Sequence, residues 1–369
     1  MQPIKFIVYS DIHYDRLGAR CVTLEDCETV ERAVHKRAAE GGFDFTLFCG
    51  DRFLKREPED EVKTRADAVL LEGKKIGQHF HLIGNHDWVS KTMHWHTSQS
   101  LGLYKDDRVL YLMDKAATFT FKNWNYEDIA AIHALPAGFA MDMNCYTVDP
   151  SVLNIFVFHD MVQGCRLDDA GKVIAGTGLR LADIDRPGFD VVFGGDIHVP
   201  QKLPFKNTKG GYVGAVMQRT RADANQERGW LEVRAVKNDD KWELEIEFSP
   251  VRQFFTHTVF DVVSATRFED LKLDAMQIKD TAVEVELRGE KCDVDRIADD
   301  RRWQNYVEYY AVRGLEVLRR YKSVQKTAVV DMSTSSGVAE DLKTYLDSGF
   351  VDTGTISKQK LTETLESLR

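Results

Sequence analysis

The triplet Asp11-Ile12-His13 near the N-terminus returns, letter for letter, as Asp196-Ile197-His198 in "FGGDIHVPQ". Between the two stand Gly50-Asp51, Gly84-Asn85-His86-Asp87 and His159-Asp160. Each of these polar pieces closes an apolar run. Carboxylate, carboxamide and imidazole without thiolate form a ligand set for manganese, iron or zinc in a reactive site, not for a structural zinc. Two ions with four ligands each need about eight protein contacts, roughly what these stretches offer. A single D-x-H is common, and an Asp after Gly at a strand end ordinarily belongs to a turn. The weight lies in the ordered set.

The elements that must position these residues can be read from the flanking patterns. "IKFIVYSD" reads as a buried strand, "TLEDCETVERAVHKRAAEGG" as a helix closed by glycines, and "FDFTLFCGD" as a second strand. "EPEDEVKTRADAVLLEGKKIG" reads as a helix with acids in its first turn, and "HFHLIGNHD" as a third strand. This β-α-β-α-β opening predicts a layered α/β domain, in which ligands gather beyond the carboxyl ends of the strands. From about Val109 short strands dominate, and the first domain closes near Pro250. Residues 251–325 read as a small α/β unit, with "TRFEDLKLDAMQI" a helix, "TAVEVELRGE" a strand, "CDVDRIADDRRWQNYV" helical and "EVLRRYKS" ambiguous. Residues 326–369 read as a polar connector followed by two short helices.

Bulk properties bound the function. The chain has 369 residues, 43% hydrophobic and 29% charged, which is a globular composition in two or three domains. Its net charge of -10 argues against a protein that coats DNA, while an acidic site can still be neutralised by metals. The six cysteines form no C-x-x-C pair, so they read as buried free thiols. The N-terminal stretch lacks a signal-peptide pattern and no apolar run is long enough to span a bilayer, so the expectation is an intracellular, cytoplasmic protein.

The motif order D-x-H, G-D, G-N-H-D, H, G-G-D-x-H resembles that of the calcineurin-like metallophosphoesterase superfamily. Within it, "FDVVFGGDIHVPQK" and "GGYVGAV" are most similar to the SbcD-like nucleases, the nuclease subunits of SbcCD DNA-repair complexes. The resemblance covers about residues 1–235. It implies a four-layer αββα sandwich and two divalent cations, manganese above magnesium, that activate water and clamp a phosphate. It assigns Asp11, His13 and His198 to one cation, Asn85, His159 and Asp196 to the other, and Asp51 to both. His86 would stand beside the metals without binding them, stabilising phosphoryl charge or protonating the leaving oxygen. The capping unit would contact DNA, and the tail would dock on the coiled coil of an SbcC-like ATPase. A homodimer follows by the same analogy.

Two positions depart from the pattern. Asp196 stands where the family has His, which adds a negative charge and predicts a harder site favouring manganese or magnesium. Leu54 stands where SbcD-like nucleases carry His, and a Leu side chain can neither orient His86 nor touch phosphate, which bears on exonuclease activity. His79 and His81 alternate along a strand and read as packing or exposed residues. His94 and His96 in "MHWHT" fall where the family has a surface helix, and read as non-ligands.

Lys202, Lys206, Lys209, Arg219, Arg221 and Arg228 bracket the last motif, and Arg301, Arg302, Arg313, Arg319 and Arg320 interleave with Trp and Tyr. This composition suits either a phosphate-tracking surface or an ordinary charged face over buried aromatics. The nucleic-acid candidates are Arg219, Arg221, Arg301 and Arg302. In the tail, Leu361, Leu365 and Leu368 make one helical stripe, and Leu342 and Leu346 belong to the preceding pattern; these are the candidate partner contacts. The function expected is a two-metal DNA nuclease of an SbcCD-like repair complex. The competing expectations are a stand-alone phosphodiesterase or phosphatase for small substrates, and a non-cleaving DNA-binding scaffold.

Overall fold

Apolar residues alternating along β1 (Ile4–Tyr9) explain the layering. Ile4, Phe6 and Val8 enter one core and Ile7 and Tyr9 another. The computed structural model describes residues 2–15, 22–75, 77–89, 110–122, 127–167, 171–176, 178–185, 188–220, 223–239, 241–273, 281–311 and 315–321. His94, His96, Arg221, Arg313 and the tail leucines Leu342, Leu346, Leu361, Leu365 and Leu368 lie outside these residues.

Parallel strands β1, β2 (Phe45–Phe48), β3 (Gln78–Leu82) and β4 (Leu110–Met113) form one side of the first sheet. The hairpin of β11 (Gly229–Asn238) and β12 (Lys241–Pro250) adds to β1 antiparallel, giving the order β12-β11-β1-β2-β3-β4. The second sheet runs β5-β6-β7-β8-β10-β9. Here β6 (Asp128–Leu135), β7 (Leu153–His159), β8 (Val191–Gly195) and β10 (Lys209–Tyr212) are parallel, while β5 (Ala117–Lys122) and β9 (Gln201–Lys202) are antiparallel edges. The two sheets face each other across Phe6, Leu47, Phe80, Ile132, Ile155 and Phe193, all fully buried. Each such side chain contributes about 1.5–3 kcal/mol by leaving water.

Helices α1 (Leu24–Glu40) and α2 (Asp60–Lys74) cover the outer face of the first sheet. A capping box starts α1: Thr23 accepts from the Asp26 N–H, and the Asp26 carboxylate accepts from the Thr23 N–H. The outer face of the second sheet is covered by loops and the short helix α3 (Leu181–Asp185). The expected four-layer α/β sandwich is therefore present.

A three-stranded sheet, β13-β14-β15, follows β12, with β13 (Phe255–Val262) parallel to β14 (Ala282–Gly289). "EVLRRYKS" resolves as strand β15 (Glu316–Tyr321). Helices α4 (Lys291–Ala298) and α5 (Arg301–Ala311) pack on this sheet through Val294, Ile297 and Trp303. The helix expected in "TRFEDLKLDAMQI" is corrected: the described part is a single 3-10 turn, Phe268–Leu271, and Lys272 is extended. Phe268 and Leu271 are both buried and three residues apart, the repeat of a 3-10 turn, so one turn satisfies both. Residues Met1–Arg320 form one unit and Tyr321–Arg369 another, of which only Tyr321 is described.

Of the described cysteines, Cys27, Cys49 and Cys165 are buried free thiols, while Cys145 and Cys292 are free but exposed. Among the described residues no helix is long and apolar enough to cross a membrane.

Candidate metal centre

The polar residues that close β1, β2, β3, β7 and β8 converge at one end of the sandwich. His13 Nε2 lies 3.8 Å from Asp11 Oδ1, 3.7 Å from Asp51 Oδ2 and 3.0 Å from His198 Nε2. His198 Nε2 is 3.9 Å from Asp11 Oδ1. On the other side of Asp51, His159 Nε2 lies 3.2 Å from Asp51 Oδ1, 3.9 Å from Asp196 Oδ1 and 3.1 Å from Asn85 Oδ1. All seven residues assigned to metal by sequence thus share one cluster with Asp51 at its middle. His86 joins it, with Nε2 3.9 Å from Asp51 Oδ2. Three overlapping groups of ligand atoms each lie close enough to share a cation: Asp11–His13–His198, His13–Asp51–His86 and Asp11–Asp51–His159.

The backbone is bent to make this possible. Among the described residues, six besides glycine have positive φ, and four of them are Asp11, His13, Asp51 and Asp196. Left-handed backbone costs free energy for residues with a Cβ and persists at functional sites where surrounding contacts impose it. Those contacts are visible. Asp11 N–H donates to the Gly50 carbonyl and His13 N–H to the Asp51 carbonyl, which ties the loop after β1 to the loop after β2. The Asp87 carboxylate accepts from the N–H groups of Asp51, Arg52, Phe53 and Gly84. A Cβ at Gly84 would collide with Asp51, so the third strand's loop can approach only as glycine.

Imidazole orientation comes from backbone carbonyls. His159 Nδ1 donates to the Cys49 carbonyl at 2.6 Å and His86 Nδ1 to the Leu54 carbonyl at 2.5 Å. His13 Nδ1 faces the Phe53 carbonyl at 3.4 Å. A carbonyl can only accept, so each Nδ1 carries a proton and each Nε2 is the atom turned to the cluster. At this position the main-chain carbonyl of Leu54, not its side chain, orients His86.

The charges are those of a cation site. Burial pushes Asp11 up to about 8, helped by the Asp51 and Asp196 carboxylates. Burial also raises Asp196. Burial pushes His13 down to about 3. Burial opposes ionisation of both Asp51 and His159, yet their mutual attraction holds Asp51 well below the carboxylate range and His159 well above the imidazole range. Protons thus stand in for positive charge among these acids, and a divalent cation would displace them. The Asn85 amide lies 3.0 Å from both Asp51 oxygens and 3.1 Å from His159 Nε2, so carboxamide, carboxylate and imidazole stand together and this donor set fits a divalent cation.

Of the remaining candidates, Arg219 lies near enough for its charge to act on His13 and His198. Arg219 is buried, with its guanidinium on Cys27 Sγ at 3.1 Å. Arg302 is exposed and paired with Asp300 and Glu269, and Arg301 is exposed on α5. Trp303 is buried and stacks on Tyr306, so that aromatic belongs to the core. His79 and His81 are buried, packed on His35 and Phe48 respectively. The sequence reading passed over Ser10, whose hydroxyl donates to Asp11, and the buried pair Glu31–Arg52 behind Asp51.

A family model described as calcineurin-like phosphoesterase matches residues 4–200, more than half of the chain. No curated protein matches. Among solved structures, the chain is similar to a dimetal phosphatase from Danio rerio at 9% identity, covering 66% of this chain and 98% of that one with a TM-score of 0.42. It is similar to a putative 5'-nucleotidase from Staphylococcus aureus at 13% identity, covering 73% of this chain and 56% of that one with a TM-score of 0.40. A novel archaeal phosphodiesterase follows at 10% identity, covering 66% and 100% with a TM-score of 0.32.

Proposed function

Because the chain belongs to the calcineurin-like phosphoesterase family, whose members hydrolyse phosphoesters with metals, we propose that it is a two-metal phosphodiesterase acting on DNA. The observation that carries the hydrolytic part is the convergence of Asp11, His13, Asp51, Asn85, His159, Asp196 and His198 from five strand ends onto one cluster. Asp11, His13 and His198 would hold one cation, Asn85, His159 and Asp196 the other, with Asp51 serving both. When bound, such ions activate water and neutralise the phosphate.

The chain's own groups do the rest. His86 is held through Nδ1, so its Nε2 is the atom available to a phosphoryl or leaving oxygen, and its partial exposure suits substrate access. Asp196 adds an acid where the family carries an imidazole, and this favours manganese or magnesium. The DNA part rests on the similarity of "FGGDIHVPQK" and "GGYVGAV" to SbcD-like nucleases. By that reading residues 1–250 are the nuclease domain, 251–325 cap it towards DNA, and 326–369 connect to an SbcC-like ATPase in the cytoplasm.

The test is incubation of the full chain with Mn2+ and single-stranded, linear duplex or hairpin DNA, beside bis(p-nitrophenyl) phosphate. DNA cleavage lost in both Asp51→Ala and His86→Ala is the expected result. Turnover of the small ester alone would overturn the DNA assignment. DNA binding without any turnover would make the chain a scaffold.

A further inference from the structure

Behind Asp51, away from the ligand cluster, lies a fully buried ion pair. Arg52 and Glu31 are both 0% exposed. Arg52 Nη1 donates to Glu31 Oε1 at 2.6 Å and Nη2 to Oε2 at 2.9 Å, and Nη2 also donates to the Ala66 carbonyl at 2.6 Å. The guanidinium lies 5.1 Å from the Tyr14 ring centre. Glu31 has two further partners: the Tyr9 hydroxyl at 3.2 Å and the Tyr14 hydroxyl at 2.7 Å. Tyr9 and Tyr14 bracket Asp11-Ile12-His13, and Arg52 directly follows Asp51. One carboxylate on α1 therefore grips the loop that carries Asp11 and His13 and the loop that carries Asp51.

Buried Arg and Glu are rare, and a buried ion pair is seldom worth more to stability than apolar residues of the same volume. The arrangement calls for another reason. Asp87 already holds the backbone of residues 51–53 from one side. The Glu31 clamp holds the same loop through the Arg52 side chain. It couples that loop to the first triplet through two tyrosine hydroxyls.

We propose that Glu31 and Arg52 are positioning residues that set the spacing of Asp51 against Asp11 and His13, and so the affinity of the site for divalent cations. Neither residue reaches substrate or the ligand cluster. The inference rests on the two-metal reading above. Groups that orient metal ligands typically change metal affinity about 10–100-fold when removed.

The experiment is Mn2+ titration of the full chain by calorimetry, with thermal unfolding of each metal-free protein measured in parallel. Glu31→Gln and Arg52→Lys, which keep volume or charge but lose the two-pronged pairing, are expected to weaken Mn2+ binding at least about 10-fold. The double change Glu31→Leu with Arg52→Met restores an apolar fill. It is expected to recover the unfolding temperature of the wild type while Mn2+ binding stays about 10-fold weak. If Mn2+ affinity recovers together with the unfolding temperature, or if both single variants bind Mn2+ within twofold of wild type, the pair is merely structural and the proposal falls. Should the double variant not fold, Arg52→Lys decides alone by the same criterion. Wild-type protein that takes up no Mn2+ overturns the two-metal reading and this inference together. Uptake by wild type and variants alike overturns only the inference.

Discussion

Asp11-Ile12-His13 and Asp196-Ile197-His198 have the same letters and occupy unlike places. The first follows β1 in the middle of its sheet, and the His13 side chain is 3% exposed and the Asp11 side chain 0%. The second follows β8, and there the His198 side chain is 37% exposed and the Asp196 side chain 17%. The His13 imidazole is backed by the Phe53 carbonyl, whereas the His198 imidazole meets His13 itself, Nε2 to Nε2 at 3.0 Å. The Asp196 N–H points at both Asp11 oxygens, at 3.2 and 3.3 Å, so the second triplet helps to hold the first. Identical tripeptides thus become a buried foundation and an accessible rim. Strand position and neighbouring carbonyls, not residue type, assign the roles.

The largest effects should separate foundation from rim. Asp11→Asn and Asp51→Asn keep shape and remove charge at the centre. Each is expected to cut phosphodiesterase kcat about 10³-fold, the scale of removing a preorganised electrostatic contact. His198→Ala on the rim is expected to cost less than His13→Ala, by about 10-fold, since water can fill an exposed ligand position but not a buried one. Steady-state kinetics on a small diester with Mn2+ measures both. Equal losses at His13 and His198 would break the distinction.

Asp196→His makes the rim conform to the family motif and subtracts one negative charge from the cluster. The ratio of Mn2+ to Zn2+ affinity is expected to fall about 10-fold, because imidazole is the softer donor. Competition titration on the metal-free protein reads the ratio directly. An unchanged ratio would show that the acid at this position does not tune the metal.

What was legible in the sequence follows the same division. The ligand residues could be found because short polar motifs end apolar runs, and strand ends of α/β sheets gather sites. A layered α/β domain followed from the alternation of strand and helix patterns, whereas the four-layer αββα order came with the family resemblance. Glu31 was illegible because on a helix of many acids it looks like one more solvated charge, and only the packing of α1 on β1 and β2 buries it. Arg52 was illegible for want of its partner. At Leu54 a sequence shows the side chain, whereas the carbonyl that holds His86 belongs to the main chain and carries no residue signal. The turn at Phe268–Leu271 was read as a full helix because two apolar residues three apart fit either repeat until the core is known.

A further contrast concerns acid. The first triplet is bracketed by tyrosines on Glu31, whereas no described contact links Glu31 to the second. Burial alone would raise Glu31, but Arg52 and the hydrogen bonds of Arg52 and Tyr14 bring it down to about 2. The folded value lies below the unfolded value of about 4.3, so the stabilisation is present above that pH and is lost as pH falls towards 2. Its size is on the order of 3 kcal/mol. In urea unfolding, the gap between wild type and Glu31→Gln is expected to hold between pH 5 and 7 and to shrink below about pH 4. A gap independent of pH would mean that the pair does not stabilise the ionised carboxylate.

The smallest expected effect probes Leu54, which meets the site through its main chain. His13 and His86 draw on consecutive carbonyls, those of Phe53 and Leu54, so the loop 53–54 orients one buried imidazole and one accessible imidazole at once. Side-chain identity at Leu54 contributes nothing to that bond. Leu54→Ala is therefore expected to leave kcat on a small diester within about twofold, since it keeps the carbonyl that holds His86. Leu54→Pro is a different matter: it removes the Leu54 N–H that donates to the Tyr14 carbonyl at 3.2 Å, and the fixed φ shifts the carbonyl that holds His86. Loss of activity in Leu54→Pro with retention in Leu54→Ala would place the function of this position in its main chain. A large loss in Leu54→Ala would place it in the side chain, and would undo the reading that the Leu54 carbonyl orients His86.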